Sequence, residues 1–281
     1  MKKVKQKVGQ LIQRVVDWGM GNGLMQEELS ATGTDMVTAE MAAMARRAGA
    51  ESCVLLKNDG TLPLKNGQGV AVFGRCQLDW FYVGYGSGGD VNPPYRVDLM
   101  EGLKKSGVSV DQIVADTYSS WCNSEDNKAD HGWWGHWPMS HPEMPLEHGF
   151  VRDAAKRCDT ALVVIGRAAG EDRENTLTKG SYYLTDAEKA MLDIVTDVFA
   201  HTVVVLNIGS IMDMAWVDHY GEKLSTILIA WQGGMESGNA VADVLTGKVN
   251  PCGKLADTIA KCYEDYPSST NFGGEKFNCY A

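Results

Sequence analysis

The feature that most constrains the fold of this 281-residue chain is a series of short, β-branched apolar runs that end in glycine or polar loops. Four such runs occur, at residues 70–73, 160–165, 202–207 and 225–230. Nearly continuous apolar runs of this kind are typical of strands that are covered on both faces, as in a parallel sheet. The sequence therefore predicts a mostly parallel central sheet.

Helical patterns lie between these runs. Thr185 and Glu188 have the spacing of a capping box, and Gly107 and Gly247 stand where two other helices would end. Alternating strand and helix signals predict an α/β fold, a three-layer sandwich with helices on both faces of the sheet. We expect residues 1–34 to form an N-terminal helical arm and residues 35–281 to form the sandwich domain.

Composition and charge exclude several classes of protein. With 44% hydrophobic and 22% charged residues, the chain has globular usage and is not disordered or fibrous. Its net charge of −10 offers no basic surface for nucleic acid or an anionic membrane, so neither is expected as a partner. The seven cysteines are scattered without a CxxC pair, and no apolar run could span a bilayer. We expect a soluble, cytoplasmic protein with reduced thiols, and a homodimer is left open.

The loop after the second apolar run carries the strongest candidate chemistry. Ligands in parallel sheets sit outside the carboxyl ends of the strands, and this loop contains Glu171, Asp172 and Arg173. A carboxyl group that donates a proton near neutral pH needs a pKa raised by burial or by a neighbouring negative charge. The cluster is therefore a candidate acid/base site, although solvated loops often have the same composition.

A glycine-rich segment, residues 84–89, satisfies the GxGxxG pattern of dinucleotide-binding loops. Pro93 and Pro94 follow soon afterwards and prevent a helix from opening at once, as that site requires. We therefore expect either a backbone that approaches some other ligand closely or a tight turn.

A second unusual segment, residues 131–145, is rich in aromatic residues and contains Trp133, Trp134 and Trp137. We call it the tryptophan-rich loop. Three tryptophans in a loop are costly to expose, so they should either pack against another domain or face an apolar ligand surface such as a sugar ring. The histidines of this segment match no standard zinc spacing, and we expect neither a metal nor a cofactor.

Five stretches, taken in chain order, carry a resemblance to a known family. They are residues 50–64, 86–95, 163–173, 207–216 and 231–255. Together they resemble the α/β-sandwich domain of glycoside hydrolase family 3, the β-glucosidase family. The resemblance runs from about residue 38 to about residue 260.

The resemblance implies a retaining β-glycosidase that uses two carboxyl groups about 5–5.5 Å apart, an Asp nucleophile and a Glu acid/base. By motif match Glu171 is the acid/base, with Asp172 and Arg173 as supporting residues. The family's usual Glu-Gly-x-Asp-Arg is shortened here to Glu-Asp-Arg. As substrate-binding residues we predict five side chains or glycines, namely Gly86, Ser87, Arg167, Trp133 and Trp134.

The nucleophile of this family lies in a (β/α)₈ barrel of about 250 residues, for which the chain has no room. The order of the motifs resembles members in which the sandwich precedes the barrel. We therefore expect this chain to be a truncated or proteolytic piece that is inactive without the barrel. Together with the barrel as its partner, it should hydrolyse terminal β-D-glucosyl residues of glucosides or oligosaccharides. The alternative hypothesis is a non-catalytic carbohydrate-binding or assembly domain that uses the tryptophan-rich loop.

Overall fold

The computed structural model describes residues 37–89, 91–130, 132, 136–171 and 175–270. The predicted N-terminal arm, residues 1–34, and residues 271–281 lie outside this part of the chain. Six strands occur in it: β1 (Val54–Asn58), β2 (Gly69–Phe73), β3 (Ser109–Val110), β4 (Thr160–Arg167), β5 (His201–Ile208) and β6 (Thr226–Ile229). Its helices are α1 (Ala39–Ser52), α2 (Leu99–Lys105), α3 (Gln112–Cys122), α4 (His148–Ala155), α5 (Asp186–Val198), α6 (Ala215–Tyr220) and α7 (Ser237–Leu245).

The strands form one sheet in the order β1-β6-β5-β4-β2-β3. The four predicted apolar runs became β2, β4, β5 and β6, which pair in parallel, so the predicted parallel sheet is confirmed. β1 joins the edge antiparallel to β6. β4 and β5 form the longest pairing, from Thr160 opposite His201 to Arg167 opposite Ile208.

Two apolar cores, one on each face of the sheet, make the fold a three-layer α/β sandwich, as predicted. On one face Phe73, Val163 and Leu206 pack among side chains of α3, α4, α5 and α6. On the other face Val72 and Val164 pack against α1, α2 and α7. Successive side chains of each strand point to opposite faces of the sheet, and both faces are buried, which explains why the runs are mostly apolar.

The ends of the helices also follow the predicted signals. Thr185 and Glu188 form a complete capping box at the start of α5. Gly107 and Gly247 follow α2 and α7 with φ angles of 77° and 73°, in the left-handed region that favours glycine. Because β2, β4, β5 and β6 run parallel, the loops that follow them lie at one edge of the sheet.

None of the helices that the structure describes is long and apolar enough to cross a membrane. Within the same residues, Cys53, Cys76, Cys122 and Cys158 are buried free thiols, and Cys252 and Cys262 are exposed free thiols.

Candidate active site

Glu171 lies at the carboxyl end of β4, in a loop that is paired with the loop after β2. Tyr85 and Gly170 form a parallel bridge. The backbone N–H of Tyr85 donates to the carbonyl of Ala169 at 2.8 Å, and the N–H of Glu171 donates to the carbonyl of Tyr85 at 3.2 Å. The two loops therefore form a short extension of the sheet, which fixes the backbone of Glu171.

The side chain of Glu171 is bound by Ser87. The backbone N–H and the hydroxyl of Ser87 both donate to Oε2 of Glu171, at 2.7 Å and 2.5 Å. Gly86 has a φ of 111°, and a Cβ on it would lie 2.5 Å from the Cβ of Glu171. Gly86 and Ser87, predicted as substrate-binding residues, thus meet the predicted acid/base directly.

These contacts explain the electrostatic state of Glu171. Its side chain is exposed, and the hydroxyl of Ser87, followed by the backbone N–H of Ser87, lowers the pKa of the carboxyl group. Hydrogen bonds to a carboxylate favour its charged form. In this arrangement Glu171 is held ionised at neutral pH, the state of a base and not yet that of an acid.

The glycine-rich segment that surrounds Ser87 is a tight turn against Glu171 and does not open a helix. The next helix is α2, which begins at Leu99. A Cβ on Gly89 would lie 2.1 Å from the carbonyl oxygen of Gly84, so the turn closes on itself. A nucleotide site at residues 84–89, which the sequence already disfavoured, has no support in this geometry.

Arg167 cannot serve as the predicted substrate-binding residue, because it is buried and fully used within the chain. Both of its terminal nitrogens donate to Glu188 at 2.7 Å, in a bidentate pair. Its remaining donors bind backbone carbonyl oxygens, those of Gly166, Ser181 and Tyr183. Arg167 is 1% exposed, and its five N–H groups are spent in holding the end of β4 to the start of α5.

Trp137 was expected to pack against another domain or to face an apolar ligand. The structure contradicts this expectation, because Trp137 packs inside this chain. It is 4% exposed, and its ring stacks on Tyr85 with 5.3 Å between centroids and 3° between planes. Trp137 therefore supports the loop of Glu171 from within and presents no face to a sugar. Trp133 and Trp134 lie outside the described residues, as do Asp172 and Arg173.

The same segment contacts the loops after β4 and β2 at two further points. The N–H of Ala168 donates to the carbonyl of Met139 at 2.8 Å, and His141 stacks on Phe81 at 5.0 Å. Over the residues that the structure covers, no three His, Cys, Asp or Glu side chains come together to hold a metal ion. His131 is not among those residues.

Asn207, which the sequence analysis did not single out, joins two loops of the site. It is fully buried at the end of β5, and its amide bonds the backbone of Phe81 and of Trp231. The available signal was an amide side chain at the end of an apolar run, since a buried amide needs partners for all of its polar atoms.

A cavity of about 310 Å³ opens beside the turn that holds Ser87. Its walls combine the aromatic side chains of Tyr82 and Tyr85 with the charged groups of Asp79, Arg96 and Asp98. The guanidinium of Arg96 lies over the ring of Tyr82, 5.2 Å from its centroid. Aromatic faces with a few polar groups are the usual lining of small-molecule sites.

Comparison with known proteins gives the chain a family. The sequence profile described as the glycosyl hydrolase family 3 C-terminal domain matches residues 53–280. A β-glucosidase of Ruminococcus albus is 43% identical over 232 residues, which are 83% of this chain and 24% of that protein. β-Glucosidase A of Butyrivibrio fibrisolvens is 38% identical over 250 residues, covering 80% of this chain and 29% of that protein.

Solved structures agree with this assignment. The crystal structure of a β-glucosidase from Paenibacillus barengoltzii superposes with a TM-score of 0.81 at 42% identity, over 84% of this chain and 26% of that one. β-Glucosidase 3B from Thermotoga neapolitana, solved with α-D-glucose, superposes at 0.75 and 35% identity, over 85% of this chain and 33% of that one. The chain thus spans about a quarter to a third of these relatives. It belongs to glycosyl hydrolase family 3, and the part of the family to which it corresponds is the C-terminal domain.

Proposed function

We propose that this chain supplies the general acid/base of a retaining β-glucosidase, and that Glu171 is this residue. The observation that carries the proposal is the position of the Glu171 carboxylate at the carboxyl edge of the sheet, bound through one oxygen by Ser87. The β-glucosidases named above support the substrate class, terminal β-D-glucosyl residues.

In the proposed reaction the Glu171 carboxyl group gives its proton to the glycosidic oxygen while the bond between that oxygen and the anomeric carbon breaks. An Asp nucleophile from a barrel domain outside this chain forms a covalent bond to the anomeric carbon. Glu171 then takes a proton from water as the water displaces the Asp, which restores both carboxyl groups.

The lowered pKa of Glu171 is a reason to expect that catalysis needs the barrel domain. A proton donor requires a raised pKa, and Ser87 has the opposite effect here. A second carboxylate about 5–5.5 Å away, together with exclusion of water by bound sugar, would raise it. We therefore propose that the chain is inactive without its barrel partner, and that Asp172 and Arg173 support the loop.

The test uses the full-length protein that contains this chain. Glu171→Ala should slow hydrolysis of alkyl glucosides, whose leaving groups need a proton, by about 10²–10⁴-fold. Activated aryl glucosides should lose far less in the bond-breaking step, and added azide should restore turnover as a glucosyl azide forms. Glu222→Ala, at an exposed glutamate in the turn between α6 and β6, is the matched control. Equal losses on both substrates, without rescue, would refute the role of Glu171.

The alternative is a non-catalytic carbohydrate-binding or assembly domain. The burial of Trp137 removes one of the three side chains on which it depended, and undiminished turnover in Glu171→Ala would favour it. We further propose a cytoplasmic location, which the buried free thiols support because such thiols are typical of reducing compartments.

A further inference from the structure

We infer that Asn207 is a positioning residue for Glu171. Its side chain connects the loop after β2 with the loop after β6, and these two loops flank the loop after β4, which carries Glu171. The inference rests on the proposed function, since it assigns Asn207 a part in the proton transfer by Glu171. Asn207 itself lies below the site, at the end of β5, and its side chain hydrogen-bonds the backbone of Phe81 and of Trp231.

The first connection is to Phe81, in the loop after β2. Oδ1 of Asn207 accepts from the backbone N–H of Phe81 at 2.7 Å, and Nδ2 donates to the carbonyl of Phe81 at 2.8 Å. Both backbone groups of one loop residue are thereby satisfied by one side chain. Phe81 begins the stretch that leads to Tyr85 and Ser87, so this anchor sets where the partners of Glu171 lie.

The second connection is to Trp231, in the loop after β6. The other hydrogen of Nδ2 is donated to the carbonyl of Trp231 at 2.7 Å. Trp231 has a φ of 55°, in the left-handed region that is strained for a bulky residue. The conformation persists because neighbouring groups hold it, and the bond from Asn207 is one of these constraints.

The turn at Trp231 directs Gln232 back towards β4. Nε2 of Gln232 lies 3.4 Å from the carbonyl oxygen of Arg167, and its Oε1 would be 2.5 Å from a Cβ on Gly209. Oε1 also lies 3.6 Å from the position of a Cβ on Gly84. Gln232 therefore fills the space among three loops. The position of the turn at Trp231 decides how closely Gln232 packs against Arg167, where the loop of Glu171 begins.

Asn207 can be tested sharply because its amide is fully buried and all three of its hydrogen bonds depend on having one acceptor and two donors. Asn207→Asp keeps the shape of the side chain but removes both donors when the carboxyl group is ionised, and leaves one donor when it is protonated. At least one of the carbonyl oxygens of Phe81 and Trp231 then faces an oxygen without a donor, which favours movement of the two loops away from each other.

The chain offers a control in Asn58, a more exposed asparagine at the opposite end of the sheet. Oδ1 of Asn58 accepts from the backbone N–H of Leu62 at 3.1 Å, and its Nδ2 donates to the carbonyl of Leu62 at 2.9 Å. This is the same two-bond anchor of a loop as at Phe81, but remote from Glu171. Asn58→Asp therefore tests loop anchoring as such.

The experiment compares both variants in the full-length protein, on alkyl and activated aryl glucosides. Asn207→Asp should lower kcat on alkyl glucosides about ten- to a hundredfold more than on aryl glucosides, with KM changed less than kcat, because a misplaced Glu171 transfers its proton poorly. Asn58→Asp should leave the ratio of the two substrates unchanged, whatever it does to the melting temperature. Equal losses on both substrates in Asn207→Asp would overturn the inference.

A second measurement needs no variant, in case Asn207→Asp does not fold. Hydrogen exchange of the wild-type protein should show the amide of Phe81 protected like the amides of β4, although Phe81 lies in a loop. Exchange of this amide at the rate of an exposed loop would equally overturn the inference. If Glu171→Ala fails its own test, the proposed function falls, while the protection of Phe81 still reports whether Asn207 holds the loop.

Discussion

Replacement of Arg167 by Met should destabilise the protein severely, although Arg167 lies in the most charged part of the candidate site. The substitution removes the cation that faces Glu188 while both residues are almost fully buried, at 1% and 7% side-chain exposure. Loss of one partner from a buried ion pair costs about 3–5 kcal/mol, because the remaining charge stays desolvated. The carbonyl oxygens of Ser181 and Tyr183 lose their donors at the same time.

For a domain of this size, that loss corresponds to a fall in melting temperature of about 6–20 °C. Urea unfolding and thermal unfolding measure it. Arg47→Met is the matched control, because Arg47 pairs with Glu51 on the exposed surface of α1, where solvent screens such pairs and they contribute little to stability. A combined Arg167→Met and Glu188→Leu variant should lose less than the sum of its parts. A loss below about 1 kcal/mol in Arg167→Met would refute the structural role of Arg167.

Two further predictions concern the turn against Glu171 and the buried carboxyl group of Glu143. Gly86→Ala should lower activity of the full-length protein by about tenfold or more, because its Cβ would collide with Glu171. Gly88→Ala, whose Cβ would meet nothing within 4 Å, should retain near wild-type rates, and equal rates in the two variants would contradict the packing. Burial raises the pKa of Glu143 to about 7 despite backbone hydrogen bonds from Arg75 and Met144. The native state then keeps a proton that the unfolded state loses above about pH 4.5, so this group makes stability fall as pH rises towards 7. Glu143→Gln, which cannot ionise, should gain about 1–3 kcal/mol relative to wild type between about pH 5 and about pH 8, and an unchanged difference in unfolding free energy would count against a buried, protonated Glu143.

The architecture could be predicted from the sequence because its signals are local. β4 and β5 are apolar runs buried on both faces, and the capping box of Thr185 and Glu188 lies within one turn of helix. Such patterns depend on neighbours a few residues away, which the sequence displays directly. β1 lacked this signal, since its residues alternate irregularly between buried and exposed at the edge of the sheet.

The role of Arg167 could not be predicted, because it depends on a contact between distant parts of the chain. An arginine next to a charged loop fits a substrate-binding residue and a structural ion pair equally well. The sequence predicts Glu188 as a capping residue. Its second role, as the partner of Arg167, appears only when β4 and α5 pack together. The prediction for Trp137 was wrong for the same reason, since its partner Tyr85 lies in the loop after another strand.

For Glu171 the motif predicts a role, but the chemistry of its carboxyl group depends on the fold. Ser87 lies 84 positions away in the chain, yet it supplies both hydrogen bonds to Oε2 and so lowers the pKa of the carboxyl group. An acid/base must take up and release its proton within one catalytic cycle, and a carboxylate held this way favours release. In the proposed reaction, proton uptake would be favoured by a bound sugar that excludes water or by a second carboxylate. If Glu171 has its proposed role, the loops of this chain supply the base half of the cycle, and the acid half requires what binds against them.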